Sequence, residues 1–272
     1  MAHSPMEHVQ DSDHWSFFDH ITHSISLEPL NIGGFQITKF MILQLIACGG
    51  ILGIYIPIAR RARSGELPKG GFWNGFEVLL TFIRSNVAQP TLGKKDADKY
   101  VPFLWTLFLF ILVNNLLGMI PFMGSATGSI GVTGALAVIA LLMMHGAPMW
   151  EKGPVKYLKS LWPHIDVPYA GPFFSAMIYV IELLGTFIKS FVLSVRLFAN
   201  IFAGHIVLAM ILSFIVQAWS GGFTAIWGVV TVSSVLGVTA LSLLELFVAF
   251  LQAYIFTFLT ALFMGMALHP DH

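Results

Sequence analysis

Residues 40–59 read FMILQLIACGGILGIYIPIA, a run without a single charge that ends at Arg60, Arg61 and Arg63. An α-helix rises about 1.5 Å per residue, so a run of this length spans the ~30 Å hydrocarbon core of a bilayer. Its basic end suits the headgroup region. The stretch therefore decides the class: an all-α integral membrane protein.

The rest of the chain agrees. Its 272 residues are 56% hydrophobic and 10% charged, with a mean hydropathy of +0.79, whereas soluble domains are about one-quarter charged. The formal net charge is zero, which offers no basic surface to nucleic acid. The single cysteine, Cys48, excludes an intrachain disulfide framework and reads as packing in an apolar run. Residues 1–35 lack Lys, Arg and a compact apolar core, so they read as a retained polar tail rather than a secretory signal. That tail holds His3, His8, His14, His20 and His23, whose irregular spacing fits a solvated segment better than a metal site. No cofactor or metal is expected.

Working outward, residues 36–59 form the first membrane helix and 60–100 a cytoplasmic or interfacial segment. In the latter, FWNGFEVLLTFIR places large apolar residues around Glu77 and Arg84, a pattern suited to a surface-lying helix. Residues 101–150 make a membrane helical hairpin, with spans at 101–122 and 130–150 joined by the turn-like GSATGSIG. A polar loop at 151–170 follows. Residues 171–270 are then nearly free of charge, broken once at WSGGF, 219–223. Each half is longer than an upright span needs, which predicts a long tilted antiparallel hairpin. The total is five to six membrane helices.

Loop cations set the orientation. With the first loop cytoplasmic, that side collects Arg60, Arg61, Arg63, Lys69, Arg84, Lys94, Lys95, Lys99, Lys152, Lys156 and Lys159, and the other keeps Lys39. The amino terminus is thus expected outside and the carboxyl terminus inside.

Polar residues inside the last two helices carry the functional signal. An arginine at the centre of a membrane helix costs about 2.5–3.5 kcal/mol on insertion scales, so it is a functional candidate by default. Arg196, in SVRLFANIFAGH (194–205), lies too far from either helix end to snorkel. Glu182, Lys189 and Arg196 recur every seven residues and share one helix face. Asn200 stays near that stripe, and His205 lies on the opposite side, about 13.5 Å further along the axis. Glu245 and Gln252 share a face of the next helix. In an antiparallel hairpin, residues at equal depth have a common midpoint, and Arg196 with Gln252 and His205 with Glu245 both centre beside the WSGGF break. Asn114 and Asn115, inside the second span, read as amides that hydrogen-bond a neighbouring helix. Lys189 and Asn115 are additional ion-path candidates.

RLFANIFAGH around Arg196 and ELFVAFLQAYIF around Gln252, supported by NNLLGMIPF (114–122), resemble subunit a of the F-type ATP synthase membrane sector. The resemblance covers the chain from about residue 36 onward. It implies a stator subunit with two half-channels that carry protons to and from a rotating c-ring, and no catalytic chemistry of its own. Arg196 would be the essential stator arginine, Asn200 and Gln252 its polar neighbours, and Glu182 a lining residue of the cytoplasmic half-channel. His205 and Glu245 are expected in the outer half as a proton-relaying pair. Many bacterial members carry an acid at the position of His205 and a histidine at that of Glu245, so the two are exchanged here. Ala199 stands where Gly is common and Ser190 where Pro is frequent. The implied partners are c-ring subunits, peripheral-stalk b subunits, other ATP synthase subunits and the lipid bilayer. The implied location is a bacterial inner membrane, or alternatively an organellar energy-transducing membrane. A secondary transporter would need broken helices in inverted repeats, and the first three elements hold no counterpart of the polar cluster in the last two.

Overall fold

The computed structural model describes residues 14–15, 25–26, 38–63, 70–120, 125–160, 171–219 and 225–269. The described residues are mainly helical and hold one two-rung antiparallel ribbon, β1 (His14–Trp15) with β2 (Ile25–Ser26). Of the tail histidines only His14 falls within the described residues.

The helices are α1 (Lys39–Arg63), α2 (Gly71–Phe82), a π-helical stretch at Ile83–Ala88, and α3 (Gln89–Gly118), followed by α4 (Ile130–Lys152), α5 (Pro154–Ser160), α6 (Gly171–Ala218) and α7 (Ala225–Leu268). Among the described residues, five helical stretches are long and apolar enough to cross a bilayer: Lys39–Arg60, Trp73–Gly118, Ile130–Lys152, Phe174–Ala218 and Ala225–Leu268. This is a multi-pass all-α membrane protein. Two glycines shape it locally. Gly153, with φ 82°, ends α4 in the left-handed conformation open to glycine, and Pro154 starts α5 where a missing N–H costs nothing. Gly93, with φ 80°, kinks the start of α3. Cys48 is exposed on α1 rather than packed.

The chain divides into two compact units. The first comprises residues 1–57, 109–132 and 196–253. Here Phe40 and Leu43 of α1 bury against Ala126. Asn115 of α3 donates to the Ala249 carbonyl of α7 at 3.2 Å and accepts from Thr127 Oγ1 at 2.7 Å, tying helix, helix and turn together.

The second unit comprises residues 58–108, 133–195 and 254–272. Several of its charged groups pair: Arg84 with Asp98 at 2.8 and 2.9 Å, Lys99 with Glu151, which Tyr100 also meets, and His269 with Asp96 at 3.0 Å. Such exposed pairs add little to stability. Helix α7 passes so close to α3 that a Cβ on Gly265 would sit 2.0 Å from the Thr91 carbonyl oxygen.

Helices α6 and α7 pack as an antiparallel hairpin. Within the first unit Asn200 bonds Gln252, Gly204 abuts Glu245, and Trp219 meets Trp227 with ring centroids 5.3 Å apart. Within the second, Lys189 Nζ lies 4.8 Å from the Phe263 ring centroid. All four pairs centre within about two positions of residue 224, as an antiparallel register demands.

Candidate ion-translocation site

In the first unit the site is built on two helix faces. Along α6, Arg196, Ala199, Asn200, Ala203 and Val207 are all exposed. Three- and four-residue spacing places them on one stripe. Arg196 stands on that stripe with no hydrogen bond or ion pair among the described residues. The residues of α6 between these positions turn inward, and Leu197 and Ile201 are fully buried.

Behind the stripe α7 presents Gln252 and Glu245, 2% and 7% exposed. Asn200 Nδ2 donates to Gln252 Oε1 at 3.1 Å, so the amide that meets Gln252 is Asn200, one turn beyond Arg196. Gln252 Nε2 and Glu245 Oε1 are buried without a hydrogen-bond partner among the described residues. Glu245 Oε1 lies where a Cβ on Gly204 would approach to 2.7 Å. His205 is the next residue and is half-buried. His205 and Glu245 therefore share a depth, but no direct hydrogen bond or ion pair joins them among the described residues. Asn115, bonded on both sides, anchors the α7 backbone at Ala249, between Glu245 and Gln252.

In the second unit Glu182 is exposed on α6 and lines a small cleft with His145, Tyr179, Leu183 and Thr186. Lys189 is exposed, its ammonium over the Phe263 ring. His145 is absent from the expected residues, which all come from residues 170–270 apart from Asn115. Yet it is the one ionisable residue between positions 130 and 150, the same intramembrane signal that marks Arg196. Gly204 is also absent, because only the packing reveals that it makes room for a carboxylate.

The arrangement offers a fixed cation on an open helix face, buried acid and amide groups behind it, and a second acid beside a small cleft. Such a set can pair with a passing acid and can hold or pass protons. The family profile described as ATP synthase A chain matches residues 41–265. The chain belongs to that family. It is 38% identical over 242 residues to ATP synthase subunit a of Myxococcus xanthus (strain DK1622), covering 87% of this chain and 76% of the relative. The corresponding protein of Chloroherpeton thalassium (strain ATCC 35110 / GB-78) is 37% identical over 91% of this chain and 72% of its own length. ATP synthase subunit a 2 of Chlorobaculum tepidum (strain ATCC 49652 / DSM 12025 / NBRC 103806 / TLS) is 37% identical over 98% and 73%. As an A chain the protein is an ion-translocating stator subunit of the ATP synthase membrane sector, works with other subunits of that complex, and has no catalytic chemistry of its own.

Proposed function

We propose that the chain supplies two half-channels for protons, one on each side of the membrane, separated by the fixed charge of Arg196. The observation that carries this reading is the exposure of Arg196 on a helix face without a partner among the described residues. A guanidinium in a membrane helix calls for an anionic partner, and a c-ring carboxylate sweeping past that face supplies one. Arginine keeps its proton even when desolvated. At about 4 Å and an effective dielectric of ~20 the attraction is about 4 kcal/mol, or roughly a thousandfold in the carboxylate's proton affinity. The ring acid therefore sheds its proton at Arg196 and regains one beyond it. The same charge repels a proton hopping straight between the half-channels, so protons travel with the ring.

Asn200 and Gln252 brace the arginine's helix from behind. Glu182 lines the inner route, and His205 and Glu245 the outer one. The c-ring and peripheral-stalk b subunits are the partners, the membrane is the bacterial inner membrane, and the amino terminus lies outside with the carboxyl terminus in the cytoplasm. Arg196→Ala should abolish proton-driven ATP synthesis in assembled complexes. Arg196→Lys should rescue poorly, since a buried ammonium gives up its proton. Normal synthesis by membranes carrying Arg196→Ala would refute the reading.

A further inference from the structure

The cavity beside Glu182 has a second titratable wall. His145, half-buried on α4, has Nδ1 2.7 Å from the Tyr157 hydroxyl of α5. Its other nitrogen, Nε2, is buried with no hydrogen-bond partner among the described residues. His145 and Glu182 line the same small cleft, together with Tyr179, Leu183 and Thr186. Residues of two helices thus meet at a space about the size of a single water. Tyr157 lies outside the membrane helices and is buried. Burial first, then the charges of Glu182 and Tyr179, push its hydroxyl up to about 12. It therefore remains a protonated, neutral phenol at physiological pH, a fixed hydrogen-bond partner rather than a proton source.

We propose that His145 is a proton-exchanging residue of the inner route, passing protons between the Glu182 carboxyl and the inner aqueous side, with Tyr157 as the positioning residue that holds its ring. The inference rests on the reading of Glu182 as a lining residue of that route. With Nδ1–H donating to the phenol oxygen, Nε2 carries the lone pair. A proton leaving the Glu182 carboxyl, directly or through water in the cavity, bonds to Nε2 and leaves a carboxylate and an imidazolium. The imidazolium then releases that same Nε2 proton to water on the inner side, which restores the neutral ring. The reverse sequence loads Glu182. No electrons change hands, and imidazole suits the step because its intrinsic pKa lies near neutrality.

The experiment uses assembled ATP synthase in inverted membrane vesicles, stripped of the catalytic head to read passive proton flux, with c-ring co-purification as the measure of assembly. His145→Gln keeps a polar group of similar size and should lower flux about tenfold with assembly intact. Tyr157→Phe should lower it two- to threefold. His145→Ala should lose flux and regain it when imidazole, but not cyclopentanol, is added. Full flux in assembled His145→Gln overturns the proposal, as does failure of imidazole to restore assembled His145→Ala. Loss of assembly in both His145 variants would assign the ring a structural role and overturn it equally. Glu182→Gln measured alongside separates the two levels. If Glu182→Gln lowers flux while the His145 variants do not, the half-channel stands and only the relay falls. If Glu182→Gln has no effect, the underlying route falls and the relay with it.

Discussion

Gly204→Ala isolates the carboxylate of Glu245 without touching it. The added methyl carbon would arrive 2.7 Å from Glu245 Oε1 and 3.2 Å from Cδ. Ordinary contact begins near 3.4 Å, so the carboxylate must retreat by about 0.7 Å. It is the far end of a flexible side chain, and the retreat costs about 0.5–1.5 kcal/mol in rotamer strain. Replacing a helical glycine by alanine returns about 0.5–1 kcal/mol. The two nearly cancel, and stability should stay within about 1 kcal/mol of the parent. Function is less forgiving, because a misplacement of about 1 Å can cost on the order of 100-fold when reacting groups must align. A shift of this size should lower proton flux about tenfold. The assay is ATP-driven acidification of inverted vesicles, normalised to assembled complex and accompanied by a thermal melt. Gly204→Ala combined with Glu245→Asp shortens the acid by one methylene and should recover part of the flux, whereas Glu245→Asp alone should not gain. Unchanged flux in a fully assembled Gly204→Ala complex would refute the placement of Glu245 in the outer route.

Gly265→Ala should behave in the opposite way: its Cβ would meet backbone, the Thr91 carbonyl oxygen at 2.0 Å, which cannot rotate aside. Overpacking of this kind costs about 1–3 kcal/mol or more, so the melting temperature and the yield of assembled complex should fall, and a melt at the parent temperature would disprove the close α3–α7 crossing. Exchanging His205→Glu with Glu245→His keeps one imidazole and one carboxyl at the same depth and should retain more proton flux than either single replacement. Replacing both with leucine should keep assembly but lose flux, and full flux in that double variant would reduce the two residues to packing. For topology, Lys156→Cys and Ala225→Cys in a Cys48→Ser background should react with an impermeant maleimide from the cytoplasmic and outer faces respectively, and labelling from the reverse faces would invert the proposed orientation.

The membrane class was legible because a charge-free run of the right length has few alternatives, and the antiparallel hairpin was legible because depth along a helix is simple counting. Rotation about the axis is not. Counting put Arg196 level with Gln252, yet Asn200 makes the bond, one turn away at 3.1 Å. The same limit applies to Glu245, which shares its depth with His205 but seats against Gly204. Side chains one position apart on a helix point about 100° apart, so a correct register still leaves the facing partner open. The partner of Asn115 was also beyond reach: an amide in a membrane helix announces a hydrogen bond across helices, but only lateral packing decides that it is Ala249. The π-helical stretch at Ile83–Ala88 and the kink at Gly93 carry no periodic signal. A single left-handed glycine leaves the apolar pattern on either side unchanged.

Burial along α6 bears on what covers it. Only 6% of its most apolar window is buried inside the chain, while Glu182, Lys189, Arg196 and Asn200 are all exposed along its length. If that face met lipid, Lys189 and Arg196 alone would cost up to about 5–7 kcal/mol on insertion scales, comparable with the entire stability of an ordinary domain. An apolar helix survives in lipid, and so does a helix with one polar face, provided that face meets water or another protein. The residues beside Arg196 favour a protein. Ala199 and Ala203 on the exposed stripe are small enough to let a second helix approach closely, which would bring a carboxylate within range of the guanidinium. On the proposed reading, an arginine so placed is neutralised only while a partner acid is in front of it. Asn200, bonded behind to Gln252, would then brace the helix as successive acids arrive and leave. A fixed charge on a braced helix, met by a moving acid, would convert proton release into rotation without any change in the stator itself.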